Sequence, residues 1–163
     1  MPHTRSPQLL RDVVQQFDLT TSERYRPGDG KTWCNIWLWD VTRALYCEVP
    51  HWVDAGLGAT TPGARGSSET TANLLTLVWM PRRGLRAGWC RAGAEEAQRT
   101  ADAGRPAVAL WANPKGPGHV ALLVPRADWE EGVQIAQAGA ECFEHGAFAR
   151  GFGGRQVDFW VHD

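Results

Sequence analysis

A first helix is predicted over residues 6–17, where apolar side chains recur at helical spacing. One face of this segment carries the large apolar residues Leu9, Leu10, Val13, Val14 and Phe17. Ser6 is suited to cap the helix, and Pro7 is suited to its first position because no N–H is needed there. The polar stretch that follows ends in PGDG at residues 27–30, which is typical of a turn.

A second helix is predicted to begin near Cys34. Trp33, Trp37, Val41 and Leu45 recur every four residues, so they define one face that we expect to be buried. The following residues 54–68, DAGLGATTPGARGSS, are small and predict a long loop, either a lid or a tolerated surface loop.

Two more helices are predicted before the periodicity changes. Residues 69–80 have a helical pattern that we expect Pro81 to end. Residues 91–103 have the clearest helical pattern, with a stripe of small alanines that permits close packing. Gly104 and Pro106 then act as stop signals.

The last part of the chain predicts strands. Four apolar runs have strand character: AVALW at 107–111, HVALLV at 119–124, VQIAQA at 133–138 and VDFWV at 157–161. The Gly/Pro-rich segment ANPKGPG joins the first two as a hairpin. Helices followed by strands indicate an α+β fold, with N-terminal helices packed on a small antiparallel β-sheet.

Composition narrows the function classes. The chain has 163 residues and a formal net charge of −1, so we expect one domain over residues 1–163 and no broad basic surface for nucleic acid or anionic membranes. No apolar run reaches the ~18 residues of a membrane span, and the N-terminal stretch predicts no secretory leader. The four cysteines have no C-x-x-C spacing, so we expect free thiols and neither metal nor cofactor.

Cys34 is the first candidate for chemistry, because it lies where a loop becomes a helix. The free N–H groups and the dipole of a helix N-terminus favour a thiolate, which predicts a lowered pKa. The same N–H groups can hold an oxyanion. A buried structural cysteine is the alternative reading of this position.

His119 is the candidate general base. It opens a strand directly after Gly116-Pro117-Gly118, where it can take a proton from the thiol and pass it to a leaving amine. Gln137 lies on the next predicted strand, so its amide oxygen is expected to orient the imidazole, with Glu141 as the competing residue. His162 is the alternative base, whereas His51 and His145 are expected to be structural or solvated.

The pattern of a helix-start Cys, a later Gly-His-Val strand and a polar residue on the following strand resembles the NlpC/P60 and CHAP amidase superfamily of papain-like cysteine hydrolases. The matching segments are TWCNIW (32–37), the 93–104 helix, PAVALWANPKGPGHVALLV (106–124) and IAQAG (135–139). The resemblance covers roughly residues 25–140, and the GHV strand is its most specific part. Gln at the third position departs from the family, where His, Asn, Asp or Glu is usual.

The resemblance implies a papain-like fold and a peptidoglycan amidase or endopeptidase that acts through a Cys34 thioester. It implies Tyr25 as an upstream oxyanion group. Trp33 and Trp111 are candidates for the cleft because the chain has nine tryptophans, and core packing is the alternative for them. The implied partner is a peptidoglycan peptide, with an inhibitory immunity protein as a further partner. The chain is expected to be monomeric and to reach the cell wall as a phage lysin after lysis or as an effector through a secretion system.

Two other functions stay open. A papain-like acyltransferase or isopeptidase would act on a protein or lipid substrate, and a binding module would keep the scaffold without turnover. Glycosidase chemistry is poorly supported, since neither Asp40 nor Asp54 has a paired carboxylate in the sequence.

Overall fold

The computed structural model describes residues 5–163. Residues 1–4 lie outside the described range, and they begin the stretch in which no secretory leader is expected. The helical elements are α1 (Pro7–Gln15), α2 (Cys34–Ala44), α3 (Ala72–Leu74), a π-helical segment (Leu75–Gly84), a 3₁₀ turn (Leu85–Ala87), α4 (Ala94–Asp102) and α5 (Phe148–Phe152). The strands are β1 (Trp52–Val53), β2 (Ser68–Glu69), β3 (Trp89–Ala92), β4 (Ala107–Trp111), β5 (His119–Leu123), β6 (Gln134–Ala138), β7 (Cys142–Ala147) and β8 (Asp158–His162). These elements confirm the α+β class.

Six strands form one antiparallel sheet in the order β3-β8-β4-β5-β6-β7. The hairpin predicted between β4 and β5 is present, and it pairs Trp111 with His119 across the two strands. A register shift between Ile135 and Gln137 interrupts the pairing of β6 with β7. β1 and β2 form a separate two-stranded ladder.

Helices pack on both faces of the sheet. Val120 and Leu122 of β5 belong to the core formed with α1 and α2, whereas Ala121 and Leu123 belong to a second core with α4 and α5. This division follows from the alternation of side chains along a strand. It explains why the central strands are almost uniformly apolar, since both of their faces are buried.

The first two helices begin as predicted. The Ser6 hydroxyl accepts from the Leu9 N–H at 3.1 Å, and Pro7 is the first helical residue of α1. α2 begins at Cys34, with Trp33 as its capping position. The amino end of α2 therefore lies at the nucleophile candidate.

Two predicted helices are wrong in their bounds. Pro81 does not end a helix but lies inside the π-helical segment, where hydrogen bonds join residues five apart rather than four. The 91–103 helix is shorter than predicted, because Trp89–Ala92 pairs with β8 as an edge strand before Gly93 caps α4. β7 and α5 were not predicted. Across residues 5–163, no helix combines the length and apolar character that a bilayer span requires.

Candidate active site

Cys34 lies on the wall of a cavity of about 500 Å³. Three chain segments form this cavity: residues 30–35 at the start of α2, residues 69–73 before and within α3, and residues 116–118 before β5. The Asn35 side chain joins two of these walls, because its Nδ2 donates to the Thr70 carbonyl at 2.7 Å. Thus the helix start, which supplies the thiol, opens toward space for a ligand.

The Cys34 sulfur is buried, with 5% of the residue exposed. The backbones of Val120, Asn35 and Cys34 and the Thr32 side chain are near the sulfur, and each of them acts to lower its pKa. Burial is the larger effect and raises the pKa of the Cys34 thiol above its ordinary value. The lowered pKa expected from the helix N-terminus is therefore wrong in direction, because the loss of solvation outweighs the effect of these groups.

His119 and Gln137 form a hydrogen-bonded pair, as the positions of the two strands predicted. Nε2 of His119 lies 2.8 Å from Oε1 of Gln137, and Nε2 of Gln137 donates to the Glu141 carbonyl at 2.9 Å. The Glu141 carbonyl can only accept a hydrogen bond, so it must face the nitrogen of the Gln137 amide. The oxygen of that amide therefore faces the His119 ring. The ring therefore carries its proton on Nε2 and keeps the lone pair on Nδ1.

Glu141, the competing third residue, contributes its backbone carbonyl to this arrangement. Its carboxylate pairs with Arg150 at the surface. Gln137 is the residue that contacts the imidazole, and only 3% of it is exposed.

The His119 ring is largely desolvated. Burial lowers its pKa, the hydrogen bond with Gln137 raises it, and the nearby Arg155 cation lowers it; the net effect is a pKa below the ordinary value. The Phe152 ring covers it with a centroid distance of 5.0 Å. The imidazole is therefore neutral at pH 7, which is the state a general base requires.

Cys34 and His119 lie on opposite faces of the sheet near the beginning of β5. Cys34 belongs to the core that contains Val120, whereas His119 pairs with Trp111 on the face that carries Ala121 and α5. The Val120 backbone is near enough to the Cys34 sulfur to lower its pKa, while the His119 ring packs against Phe152 from the side of α5. The hydrogen-bond partner described for the ring is Gln137, not the sulfur.

Asn73 holds the loop that leads to His119, and sequence reasoning missed it. Its Oδ1 accepts from the Asn113 N–H at 2.8 Å, and its Nδ2 donates to the carbonyls of Asn113 and Gly116 at 3.1 and 2.9 Å. A Cβ at Gly118 would lie 2.2 Å from the Trp111 carbonyl oxygen and 2.6 Å from Asn73 Oδ1. Glycine is thus required directly before His119.

Tyr25 does not occupy the predicted oxyanion position. Its hydroxyl donates to Asp40 at 2.6 Å, and the residue is 2% exposed. Burial first, and then the Asp40 carboxylate, raise the pKa of Tyr25 above its ordinary value. Arg24 also binds Asp40, through Nε and Nη2 at 2.7 and 3.1 Å. Tyr25 and Arg24 together therefore anchor the 18–33 segment to α2.

The two tryptophans expected in the cleft have different surroundings. Trp33 lines the Cys34 cavity, and its Nε1 donates to the Arg26 carbonyl at 2.9 Å. Trp111 lies on the other face of the sheet, where the Arg155 guanidinium carbon is 4.5 Å from its ring centroid. Trp111 is thus beside His119 rather than in the cavity.

The remaining histidines have other partners. His51 binds the Glu69 carboxylate and His145 binds the Glu130 carboxylate, at 2.7 and 2.8 Å. His162, the alternative base, lies at the end of β8, where its Nε2 contacts the Ala87 carbonyl at 2.9 Å. Among residues 5–163, no three His, Cys, Asp or Glu side chains are grouped to hold a metal ion.

Comparison of the chain with protein-family models and with curated proteins gave no match. The interpretation of this site therefore depends on its own geometry: a thiol at a helix N-terminus, a neutral imidazole of fixed tautomer, and an adjacent cavity.

Proposed function

We propose that this protein is a papain-like cysteine hydrolase of the NlpC/P60 or CHAP type that cleaves amide bonds of peptidoglycan peptides. The observation that carries the proposal is the doubly bonded amide of Gln137, which leaves Nδ1 of His119 free to act as a base at the start of β5. In this proposal the imidazole reaches the Cys34 sulfur when substrate is bound. A nucleophile, a base and a residue that orients the base are the minimum set for this chemistry.

In the first half of the proposed reaction, Nδ1 of His119 takes the thiol proton while the Cys34 sulfur attacks the substrate carbonyl carbon. The carbon–sulfur bond forms and the carbonyl π electrons move to oxygen. Collapse of this intermediate breaks the carbon–nitrogen bond, and the imidazolium gives its proton to the leaving amine. The products are a thioester on Cys34 and a free amine.

In the second half, His119 takes a proton from water as the water oxygen attacks the thioester. The carbon–sulfur bond breaks, the substrate leaves as a carboxylic acid, and the proton returns to the sulfur. No redox partner or cofactor is needed, since each step transfers only a proton and a bonding electron pair.

The proposed oxyanion donors are at the beginning of α2. The N–H groups of Cys34 and Asn35 are in the first turn of α2 and have no partner inside the helix, and Thr32 lines the same cavity wall. Donors already aimed at the site where charge develops stabilise the transition state. Thr32 replaces Tyr25 as the side chain in this role, because the Tyr25 hydroxyl is taken by Asp40.

The peptidoglycan substrate is proposed from the resemblance of residues 25–140 to wall amidases. The volume of about 500 Å³ at Cys34 is in the range of small-molecule and peptide sites. In this proposal the enzyme acts on the cell wall as a lysin or a delivered effector. An immunity protein would cover the same cavity.

A second candidate, a binding module on this scaffold, is favoured by one specific observation. Burial raises the pKa of Cys34, so at neutral pH the sulfur is a thiol rather than a ready thiolate. Such a module would keep the cavity and bind wall peptides without cutting them.

Product analysis tests the proposed function. Purified peptidoglycan, a peptide ester and a lipid ester are each incubated with the protein in ¹⁸O-labelled water, and the products are analysed by mass spectrometry. The proposal predicts new free amines and a single ¹⁸O in each new carboxylate, from peptidoglycan only. New reducing sugar ends, acyl transfer to a protein or lipid, or no product at all would contradict it.

A further inference from the structure

A second cavity lies between α1 and the carboxyl end of α2. Its volume is about 200 Å³, and Arg5 is the one charged residue in its wall. Most of the wall is apolar and consists of Leu9, Leu10 and Val13 from α1 and Ala44 and Leu45 from the end of α2. An apolar cavity of ~150 Å³ can hold a benzene molecule, so this cavity has room for an apolar body of that size.

The guanidinium of Arg5 carries a charge that no residue in 5–163 balances. Its Nη1 is buried without a hydrogen-bond partner, and none of the ion pairs of the described residues includes Arg5. Residues 1–4, MPHT, contain no acidic side chain. Nη2 lies 3.5 Å from Nδ1 of His162, at the outer limit of a hydrogen bond. The nearby Cys47 thiol is neutral at pH 7, because burial raises its pKa to about 12 although Arg5 lowers it.

The buried nitrogen distinguishes Arg5 from the exposed arginines that have no ion pair. An N–H of a charged group that is removed from water without an acceptor raises the free energy of the folded protein. Among the buried side-chain nitrogens and oxygens of residues 5–163 that lack a partner, only this one belongs to a charged group, since the others are the indole nitrogens of Trp37, Trp89 and Trp160. An anion in the cavity would supply the missing acceptor.

The same cavity also presents apolar side chains to solvent. Five large hydrophobic residues of the described range 5–163 are exposed, and two of them, Leu9 at 41% and Tyr46 at 70%, line this cavity. Tyr46 has a left-handed backbone with a φ of 57° directly after the capping residue of α2, a position where glycine is usual. The tyrosine is therefore kept against its backbone preference, and exposed apolar groups around a cavity are typical of a binding site.

We propose that this cavity binds a small carboxylic acid with a compact apolar body. The carboxylate contacts Arg5, because a guanidinium can donate two parallel hydrogen bonds to it. The body packs on Leu10 and Val13, which are 0% and 7% exposed and form the apolar floor. The site is at the opposite end of α2 from Cys34, and binding there requires no turnover.

Titration with benzoate and benzamide tests the site, since the two compounds share a ring and differ in charge. Calorimetry at pH 7 compares the wild-type full chain with Arg5→Met and Arg11→Gln. Wild type should bind benzoate saturably and roughly tenfold or more tightly than benzamide, as expected for hydrogen bonds to a charged group. Arg5→Met should bind benzoate no more tightly than wild type binds benzamide. Arg11→Gln is the matched control and should keep the wild-type affinity, because Arg11 is a half-buried arginine of α1 outside this cavity.

NMR and a cavity-filling variant locate the bound benzoate. NOEs from its ring protons should reach the methyl groups of Leu10 and Val13. Ala44→Phe fills the cavity from an exposed position and leaves Arg5 in place, so it should remove binding of both compounds. Circular dichroism establishes that each variant is folded. Equal affinity of wild type for benzoate and benzamide, unchanged benzoate binding by folded Arg5→Met or Ala44→Phe, NOEs to Ala72 in the other cavity, or no saturable binding of benzoate would each overturn the assignment.

Discussion

The Gln137 amide oxygen lies 2.8 Å from Nε2 of His119, and the amide nitrogen of the same side chain donates to the Glu141 carbonyl at 2.9 Å. The bond to Glu141 determines the orientation of the bond to His119, because it prevents the Gln137 amide from turning its nitrogen to the ring. The state of the imidazole therefore depends on a backbone carbonyl that the imidazole does not touch.

Replacing Gln137 by Ala should leave His119 without this orientation. We expect kcat/KM to fall by on the order of 10²-fold, the lower range of a general acid–base contribution. ¹⁵N chemical shifts of His119 should change from a single Nε2–H tautomer to a mixture. Glu141→Gln is the matched control, since it keeps the backbone carbonyl and loses only a surface ion pair with Arg150. Equal losses in the two variants would show that the amide does not orient the ring.

Gly151 provides the space that the Gln137 amide occupies. A Cβ at Gly151 would lie 2.1 Å from Gln137 Oε1 and 2.7 Å from Ile135 Cδ1, whereas a Cβ at Gly154 would meet no atom within 4 Å. Gly151→Ala should therefore displace the amide, lower activity and reduce the free energy of unfolding by roughly 1–3 kcal/mol, as overpacking does. Gly154→Ala should change neither quantity. Chemical denaturation and activity assays on the pair check both effects, and wild-type activity in Gly151→Ala would contradict this packing.

The lowered pKa of His119 predicts how stability depends on pH. Burial is its first cause, the Gln137 hydrogen bond opposes it, and the Arg155 cation adds to it. An unfolded histidine takes up its proton near pH 6.5, about the ordinary value, but the folded ring resists protonation until lower pH. The stabilising contribution is therefore complete above about pH 6.5 and is lost as pH falls from there through the folded-state pKa.

Denaturation curves between pH 7.5 and pH 5 measure this effect. The free energy of unfolding of wild type should decrease over that range more steeply than that of His119→Gln. In the proposed enzyme the acid limb of kcat/KM should also lie below the ordinary histidine pKa, and Arg155→Gln should move it upward. Parallel stability curves for wild type and His119→Gln would refute a desolvated imidazole.

Thiol labelling distinguishes the buried sulfur from the exposed one. Burial raises the pKa of Cys34 and raises that of Cys47 to about 12, whereas Cys90 is exposed on β3. Since the thiolate is the reactive form, iodoacetamide at pH 8 should modify Cys90 first and Cys34 and Cys47 much more slowly. Peptide mapping by mass spectrometry follows each site. Fast labelling of Cys34 at pH ~6 would instead indicate a thiolate already formed beside an imidazolium.

Local patterns were enough to predict part of the site. The four-residue recurrence beginning at Trp33 set the start of α2 at Cys34, and turn residues before His119 set the start of β5. The His119–Gln137 contact followed from the antiparallel order of their strands. Each of these features depends on residues close in sequence or on adjacent strands.

The missed features depend on long-range packing. Asn73 contacts a loop 40 residues away at Asn113, and α5 is too short for a helical period to be recognised. The direction of the Cys34 pKa was mispredicted because a helix N-terminus can be recognised from sequence, whereas desolvation depends on the whole core around the sulfur. Tyr25 was misassigned because its partner Asp40 lies on the next helix.

The most direct test of the account is the rate of amine release from purified peptidoglycan by Cys34→Ala protein, measured beside Cys90→Ala as the matched cysteine control. Circular dichroism first establishes that both variants are folded. The account predicts no release by Cys34→Ala and the wild-type rate for Cys90→Ala. Release by folded Cys34→Ala protein at the wild-type rate would contradict it, because the nucleophile would then be another group.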